Sequence, residues 1–522
     1  MPPVVNFAGW STYGFDNHRD GFNPNTTTVS PASIGGLHLA WQADYGDFNT
    51  QSQPVLAANV AGHRAVLFVG GANGTVYGYD GTSGTQMWRK SLGQFYYSCS
   101  GPGSAVVGIG GSVVYDGSGS IFVPANFNSS VGAPSITIVR LDAASGNQLG
   151  SVNVTPNVLR GEADITHTSL ALANGRVYLG TGSTCDLSSW RGRVASADTN
   201  LSAMSVRTFY TSWSPTYQFS GGGVWGQGGV AVDDAGAIYT GVGNTDTNTG
   251  SSGPQPPFLT TSNEKMGYGD NFIKLAADLS RAIANNAPGA SIAGDIDLTG
   301  SPMLFTPLGC PNTLAALQGK EGELLTYDTQ QVASGPAKRL RVSPSSSDAP
   351  YLGNPGYSPI TGLMYASVET SMTGISQPGL LAYKPVGCSG DLTMVWHASF
   401  GPDSFTAGLP RSAVSVTAGG VVFVGTPCNP DATGGCSPTV TSQSGGAMWA
   451  IDATNGTVLN NGKPIVITGS IIRTAPVIDA NWVYVTDNSG HLYGFTTDPS
   501  VPAKAIMRTF ADPRSLSTYR HR

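Results

Sequence analysis

Short apolar, β-branched runs alternate with glycine turns along this chain, and one phrase built from them returns eight times. The clearest copy is AVLFVGGANGTVYGYDGTSGTQMW, Ala65–Trp88. It reads as a strand over Val66–Val69, a turn at Asn73-Gly74 and a second strand over Thr75–Tyr79. Asp80, a further turn at Ser83-Gly84 and a closing Trp88 complete it. Weaker copies begin near Ser120, Arg176, Ala237, Thr313, Leu363, Val421 and Val483. A unit this short buries its faces only against its neighbours, so the repeat predicts an all-β, eight-bladed β-propeller. In such a ring, function concentrates in the axial funnel where the blade loops converge.

The copies at Ala65–Trp88, Val421–Leu459 and Trp482–Phe495 read most cleanly, but the last lacks a complete outer strand. Gly36–Gln42 (GLHLAWQ) can supply it, which closes the ring between the chain ends and removes exposed sheet edges. The whole chain, 1–522, is therefore expected to be one domain. Residues 1–35 would be irregular and packed on one face, 36–500 would form the blades and 501–522 a tail. Long insertions at Thr245–Asp270 and Cys428–Gly446 are candidates for functional loops. No stretch reads as a helix of more than a turn or two.

Composition sharpens the picture. The 70 glycines and 34 prolines suit many tight turns, and a hydrophobic share of 40% is ample for a core. Charged residues make up only 11%, with a net charge of −6, which argues against a nucleic-acid partner. A surface rich in Ser, Thr, Asn and Gly suits a secreted or periplasmic protein. No apolar run approaches the roughly 18 residues that cross a bilayer. Met1-Pro2-Pro3 leads straight into polar sequence, which reads as a mature fragment with an added Met, a cytosolic protein being the alternative. The six cysteines form no CxxC or CxxCH, so a zinc ribbon or covalent haem is not expected. Cys428 and Cys436 flank NPDATGG in one loop, where a local disulfide is the simplest reading.

The phrases VYGYDGTSGTQMW, MWAIDATNGTVL and LYGFTTD resemble the repeat of pyrroloquinoline-quinone (PQQ) dehydrogenases and their cofactor-free relatives. The opening GWSTYGFDNHRDGFNPNTTTVSPASIGGLHLAW resembles the start of their polyvinyl-alcohol-dehydrogenase branch. The resemblance spans nearly the whole chain, most of it specifying the fold; activity must come from individual site residues. It implies oxidation of an alcohol, polymeric and secondary alcohols included, by hydride transfer to a metal-bound quinone.

Within Gly221–Asn244 (GGGVWGQGGVAVDDAGAIYTGVGN) the resemblance puts Trp225 under the quinone and makes Asn244 a metal ligand. A flat aromatic floor suits a planar cofactor, and an amide oxygen suits a hard cation such as Ca²⁺ or a lanthanide. The alternative is a core Trp and a turn Asn. In GDIDLTGSPMLF, Gly294–Phe305, and the following LAALQGKEGELLTYD, Asp295 falls on the catalytic base and metal ligand, Asp297 on the accessory acidic position, and Lys320 on the cation that touches the quinone carbonyls. A carboxylate takes the alcohol proton while a cation polarises the hydride-accepting carbonyl. Read blandly, these are an Asp-rich turn and a charged hairpin tip. Thr166, in RGEADITHTS, falls at a cofactor contact, beside His167, which titrates near neutral pH when unperturbed.

Two departures bear on the cofactor. Where the family places a metal-ligating Glu, YLGTGSTCDLSSWRGRV carries Thr184 or Cys185, with Asp186 or Asp297 as substitutes. The adjacent Cys–Cys pair common in the family is also missing; only Cys99, in FYYSCSGPG, stands there. Pairing of Cys99 with Cys185 over the cofactor, or two unpaired thiols, are both open. Without CxxCH, electrons would pass to a separate carrier, with a cytochrome c the expected partner of an acidic surface. Two alternatives stand beside this reading: a propeller without quinone that serves as a binding or assembly module, and a non-redox enzyme using His167, Asp295 and Tyr96 or Tyr97.

Overall fold

The computed structural model describes residues 6–46, 52–98, 104–128, 134–156, 164–183, 190–213, 221–245, 266–289, 297–343, 354–368, 378–401, 412–437 and 445–506. Eight antiparallel sheets stand in a ring as the blades of a propeller. Their innermost strands are Val55–Val60, Val114–Tyr115, Ala171–Ala173, Ala231–Val232, Met303–Phe305, Gly356–Ser358, Ser415–Thr417 and Val477–Asp479. The repeat found in sequence coincides with the second strand of each blade. Those strands start at His63, Ser120, Arg176, Ile238, Leu314, Leu363, Val421 and Trp482, within two residues of every copy.

Burial grades outward through each blade, which is why the second strands read as nearly continuous apolar runs. Val421–Pro427 is buried throughout, because a blade face meets a neighbouring blade on both sides. The outermost strand of blade one, Gln86–Ser91, buries only Trp88. That indole explains the fixed order Asp, Gly, Trp in the repeat. Its Nε1 donates to the Ala143 carbonyl of blade two at 3.0 Å, and its ring lies where a Cβ on Gly146 would come within 2.5 Å. Trp41 lies in the same way on Gly84 of blade one, and Trp396 on Gly456 of blade seven. Each of these glycines closes a turn begun by an aspartate carbonyl (Asp80, Asp142 or Asp452) and holds a φ above 70°. Gly146→Ala therefore meets both a strained φ and an occupied space, and is expected to cost about 1–3 kcal/mol, read as a lowered melting temperature.

The N-terminal segment does close the ring. His38–Asp44 pairs antiparallel with His491–Thr496, two residues further along than the sequence suggested. The stretch before it does something the pattern gave no hint of. An innermost strand turns its unpaired edge toward the axis, and residues 10–23 satisfy those edges in sequence order. The carbonyls of Trp10, Ser11, Asn17, His18, Asp20 and Gly21 accept from the amides of Leu56, Tyr115, Val232, Leu304, Tyr357 and Val416. Each of those six donors is the second residue of its innermost strand, in blades one, two, four, five, six and seven. Blades three and eight are met by side chains, Thr12 Oγ1 on the Leu170 carbonyl and Asn23 Nδ2 on that of Ile478.

Arg19 organises this loop. It is fully buried, and its guanidinium donates to Thr12 Oγ1 (2.8 Å) and to the carbonyls of Tyr13 (2.7 Å), Leu170 (2.9 Å) and Val230 (3.2 Å). Tyr13 is packed on Ala413 and Ala475, from blades seven and eight, and against Gly228, which precedes blade four. It thereby plugs the axis. The chain leaves along blade seven, where Thr26 and Val29 bond Gly419 and Thr417. Among the described residues two disulfides form: Cys428–Cys436, as expected within its loop, and Cys310–Cys388, which joins blades five and six.

Candidate functional site

Residues that precede an innermost strand and residues that follow a second strand come to the same end of an antiparallel blade. That topology gathers side chains distant in sequence: Thr166 and His167 before the inner strand of blade three, Trp225 before that of blade four, Asp297 before that of blade five, and Asn244 and Lys320 just after second strands. Four of them form one connected group. The Asn244 backbone amide donates to Asp297 Oδ1 at 2.8 Å, and Lys320 Nζ pairs with Asp297 Oδ2 at 2.6 Å. The Lys320 amide also donates to the Asp297 carbonyl at 3.0 Å. The ion pair is almost enclosed, with 7% and 4% of the two side chains exposed.

Trp225 adjoins this pair across Gly243. A Cβ at that position would fall 2.3 Å from Asp297 Oδ1 and 2.6 Å from the indole Nε1. Gly182 and Gly223 lie equally close under the ring, within 2.6 Å and 2.4 Å of a would-be Cβ. Three glycines thus form a bed on which a half-buried indole lies flat, because no side chain intervenes. Trp190 meets it edge-on at 5.5 Å, and the His167 ring is tilted toward it at 6.3 Å. Thr166 is fully buried, its hydroxyl donating to the Gly180 carbonyl at 2.9 Å, so it belongs to the wall behind the indole. Asp295, Cys99 and Cys185, and with them Thr184 and Asp186, lie outside the described residues. Tyr96 and Tyr97 lie on the strand Phe95–Ser98, paired with Ser104–Val107 between blades one and two.

Several neighbours were not singled out from sequence. Trp190 lies in SSWRGRV, a stretch read for another purpose. Behind it the fully buried Asp164 pairs with Arg193 and accepts from the Arg191 amide, while both arginines lie over the Tyr210 ring. Asp270 precedes the third strand of blade four at the same end of the ring, in a cleft that Asp297 also lines. Burial, then the Asp297 and Glu321 carboxylates, push its carboxyl up to about 8. The Leu298 amide and the Lys320 ammonium work in the opposite direction, the amide without reaching hydrogen-bond geometry. Asp270 ends the Thr245–Asp270 insertion noted as a candidate functional loop, but no motif singled out the residue itself.

No family model matches this sequence, and no curated protein matches it. Solved structures do. A quinohemoprotein alcohol dehydrogenase from Comamonas testosteroni superposes with a TM-score of 0.64 at 16% identity, over 97% of this chain and 82% of that one. The fold is that of the quinoprotein alcohol dehydrogenases. A quinohemoprotein alcohol dehydrogenase from Pseudomonas putida HK5 gives 0.62 at 14% identity, over 96% and 82%. A europium-containing methanol dehydrogenase gives 0.60 at 14% identity, over 94% and 98%. At these identities the likeness carries the architecture, and the narrower polyvinyl-alcohol-dehydrogenase branch is not distinguished by it.

Proposed function

We propose that the protein is a quinoprotein-type dehydrogenase that oxidises an alcohol at the end of the ring where Trp225 lies. One observation carries this reading: a half-buried indole on a bed of three glycines, beside a buried Asp297–Lys320 pair that the Asn244 amide anchors. A planar cofactor needs a flat aromatic surface and a cation near its carbonyls, and the described residues fit both needs. When bound, PQQ supplies an electrophilic carbonyl carbon that accepts hydride.

The chain's own residues would divide the remaining work. Asp297 has both oxygens engaged, so it orients the Lys320 ammonium rather than serving as the base. Lys320 would polarise the acceptor carbonyl. Asp295, two positions before Asp297, would take the alcohol proton as hydride leaves the same substrate, an assignment that rests on the sequence resemblance. Trp225 and its glycine bed hold the reacting plane.

A Ca²⁺ or lanthanide ion fits the described residues less well. No three acidic, His or Cys groups converge on one point among them, and a metal on Asp297 would have to displace the Lys320 ammonium. Charged ligands would otherwise have to come from Asp295 and the 184–186 stretch. The same closed ion pair favours the second reading, a quinone-free propeller that binds a partner. Secretion or a periplasmic location, with a separate cytochrome c as electron acceptor, accompanies the first reading; the two disulfides among the described residues accord with it. The deciding experiment adds PQQ with Ca²⁺ or with a lanthanide and follows dye reduction by primary and secondary alcohols. Turnover that needs the quinone supports the dehydrogenase; no turnover and no thermal shift under both metals leaves the binding module.

A further inference from the structure

The cleft between blades four and five gathers more carboxyl groups than cations. Four line it: Asp270, Asp297, Glu321 and Glu323. Two have cations of their own, Asp297 with Lys320, and Glu323 with Arg339 and Arg341 at 3.5 and 3.6 Å. For Asp270 and Glu321 no ion pair is formed among the described residues. Asp270 is only 6% exposed, and neither of its carboxylate oxygens has a hydrogen-bond partner there. A buried carboxyl group with both acceptors open costs free energy unless something donates to it. Glu321 reaches across from blade five, its Oε1 lying where a Cβ on Gly289 would come within 2.7 Å.

The remaining walls decide what kind of donor fits. Pro288, Leu298 and Leu325 are apolar, which suits methylene groups and disfavours a hydrated ion. A bare metal ion would need several oxygens converging at about 2.0–2.6 Å, and no such group forms among the described residues. An ammonium group on a short alkyl chain satisfies both halves of the cleft: its N–H groups meet the open acceptors of Asp270 and the Glu321 carboxylate, and its carbons lie on the apolar wall.

We propose that this cleft binds an organic ammonium group, and that the alcohol oxidised beside it is therefore a cationic one, an amino alcohol. The substrate assignment rests on the dehydrogenase reading; the binding site does not.

The test is calorimetric titration of the full chain at low salt with 4-aminobutan-1-ol, with butane-1,4-diol and with Ca²⁺ alone. The amino alcohol is expected to bind at least tenfold more tightly than the diol. Asp270→Asn should weaken amino-alcohol binding by tenfold or more, and Glu321→Gln by severalfold, while diol binding stays within twofold in both. Circular dichroism and melting curves of the variants separate loss of the site from loss of fold. Equal affinity for diol and amino alcohol overturns the proposal, as does Ca²⁺ that binds tightly and expels the amino alcohol. Ammonium binding without quinone-dependent turnover keeps the cleft and removes the dehydrogenase; turnover of neutral and cationic alcohols at equal kcat/KM keeps the dehydrogenase and overturns the amino-alcohol assignment.

Discussion

Replacing Arg19 by alanine is expected to destabilise the protein by about 3–5 kcal/mol, more than any substitution on the outer blades. The guanidinium bonds Thr12 and Tyr13 within the axial loop and Leu170 and Val230 on blades three and four, all in full burial. Truncation removes the guanidinium donor from all four acceptors, of which the Leu170 carbonyl keeps only Thr12 Oγ1, and leaves a cavity at the axis. The loop that loses its anchor also satisfies the inner edges of the other blades, so the damage should spread round the ring. Lysine cannot repair it, because one ammonium cannot reach four acceptors in a plane as the guanidinium fork does. Equilibrium urea unfolding of wild type, Arg19→Ala and Arg19→Lys measures this. A cost below 1 kcal/mol for the alanine variant would mean that the loop merely rests in the channel.

Lys320→Ala should act twice. Stability should fall by about 3–5 kcal/mol, because Asp297 stays buried without the ammonium that pairs with it. Quinone-dependent turnover should fall roughly 10²–10³-fold, as when one preorganised donor is removed from a developing negative charge. Two controls separate these effects. The double variant Lys320→Ala, Asp297→Asn should recover most of the stability and none of the turnover, which a double-mutant cycle quantifies. Calcium should raise the melting temperature of Lys320→Ala more than that of wild type, since the vacated side of Asp297 becomes open to another cation. Thermal melts with and without Ca²⁺ read this directly, and identical shifts in both proteins would show that Asp297 is not a cation site.

Much of the architecture was legible because it is periodic. Glycine at 146 and tryptophan at 88 have counterparts at Gly84 and Trp41 and at Gly456 and Trp396, since these junctions solve the same local problem: a turn with positive φ, onto which the neighbouring indole docks. The strand His38–Asp44 was legible for a related reason, a blade lacking one strand at the C-terminal end and a spare apolar strand near the start. Trp225, Asn244, Asp297 and Lys320 were found as separate motifs, and the ring brings them into one group.

Asp270 and Arg19 had no such signal. Each is a single polar residue in an irregular stretch; Arg19 is held by carbonyls 151 and 211 positions away, and Asp270 is enclosed by residues of the next blade.

Local chemistry written in the chain determined the eight blades, their turns, their inter-blade tryptophans and the way the ring closes, because those features repeat and depend on near neighbours. Only the assembled ring decided that residues 10–23 would thread the axis. The backbone groups they satisfy become a contiguous inner edge only once eight strands stand side by side. The same holds for the cleft of Asp270 and Glu321, where carboxyl groups gather because two blades meet, a property that neither segment carries alone.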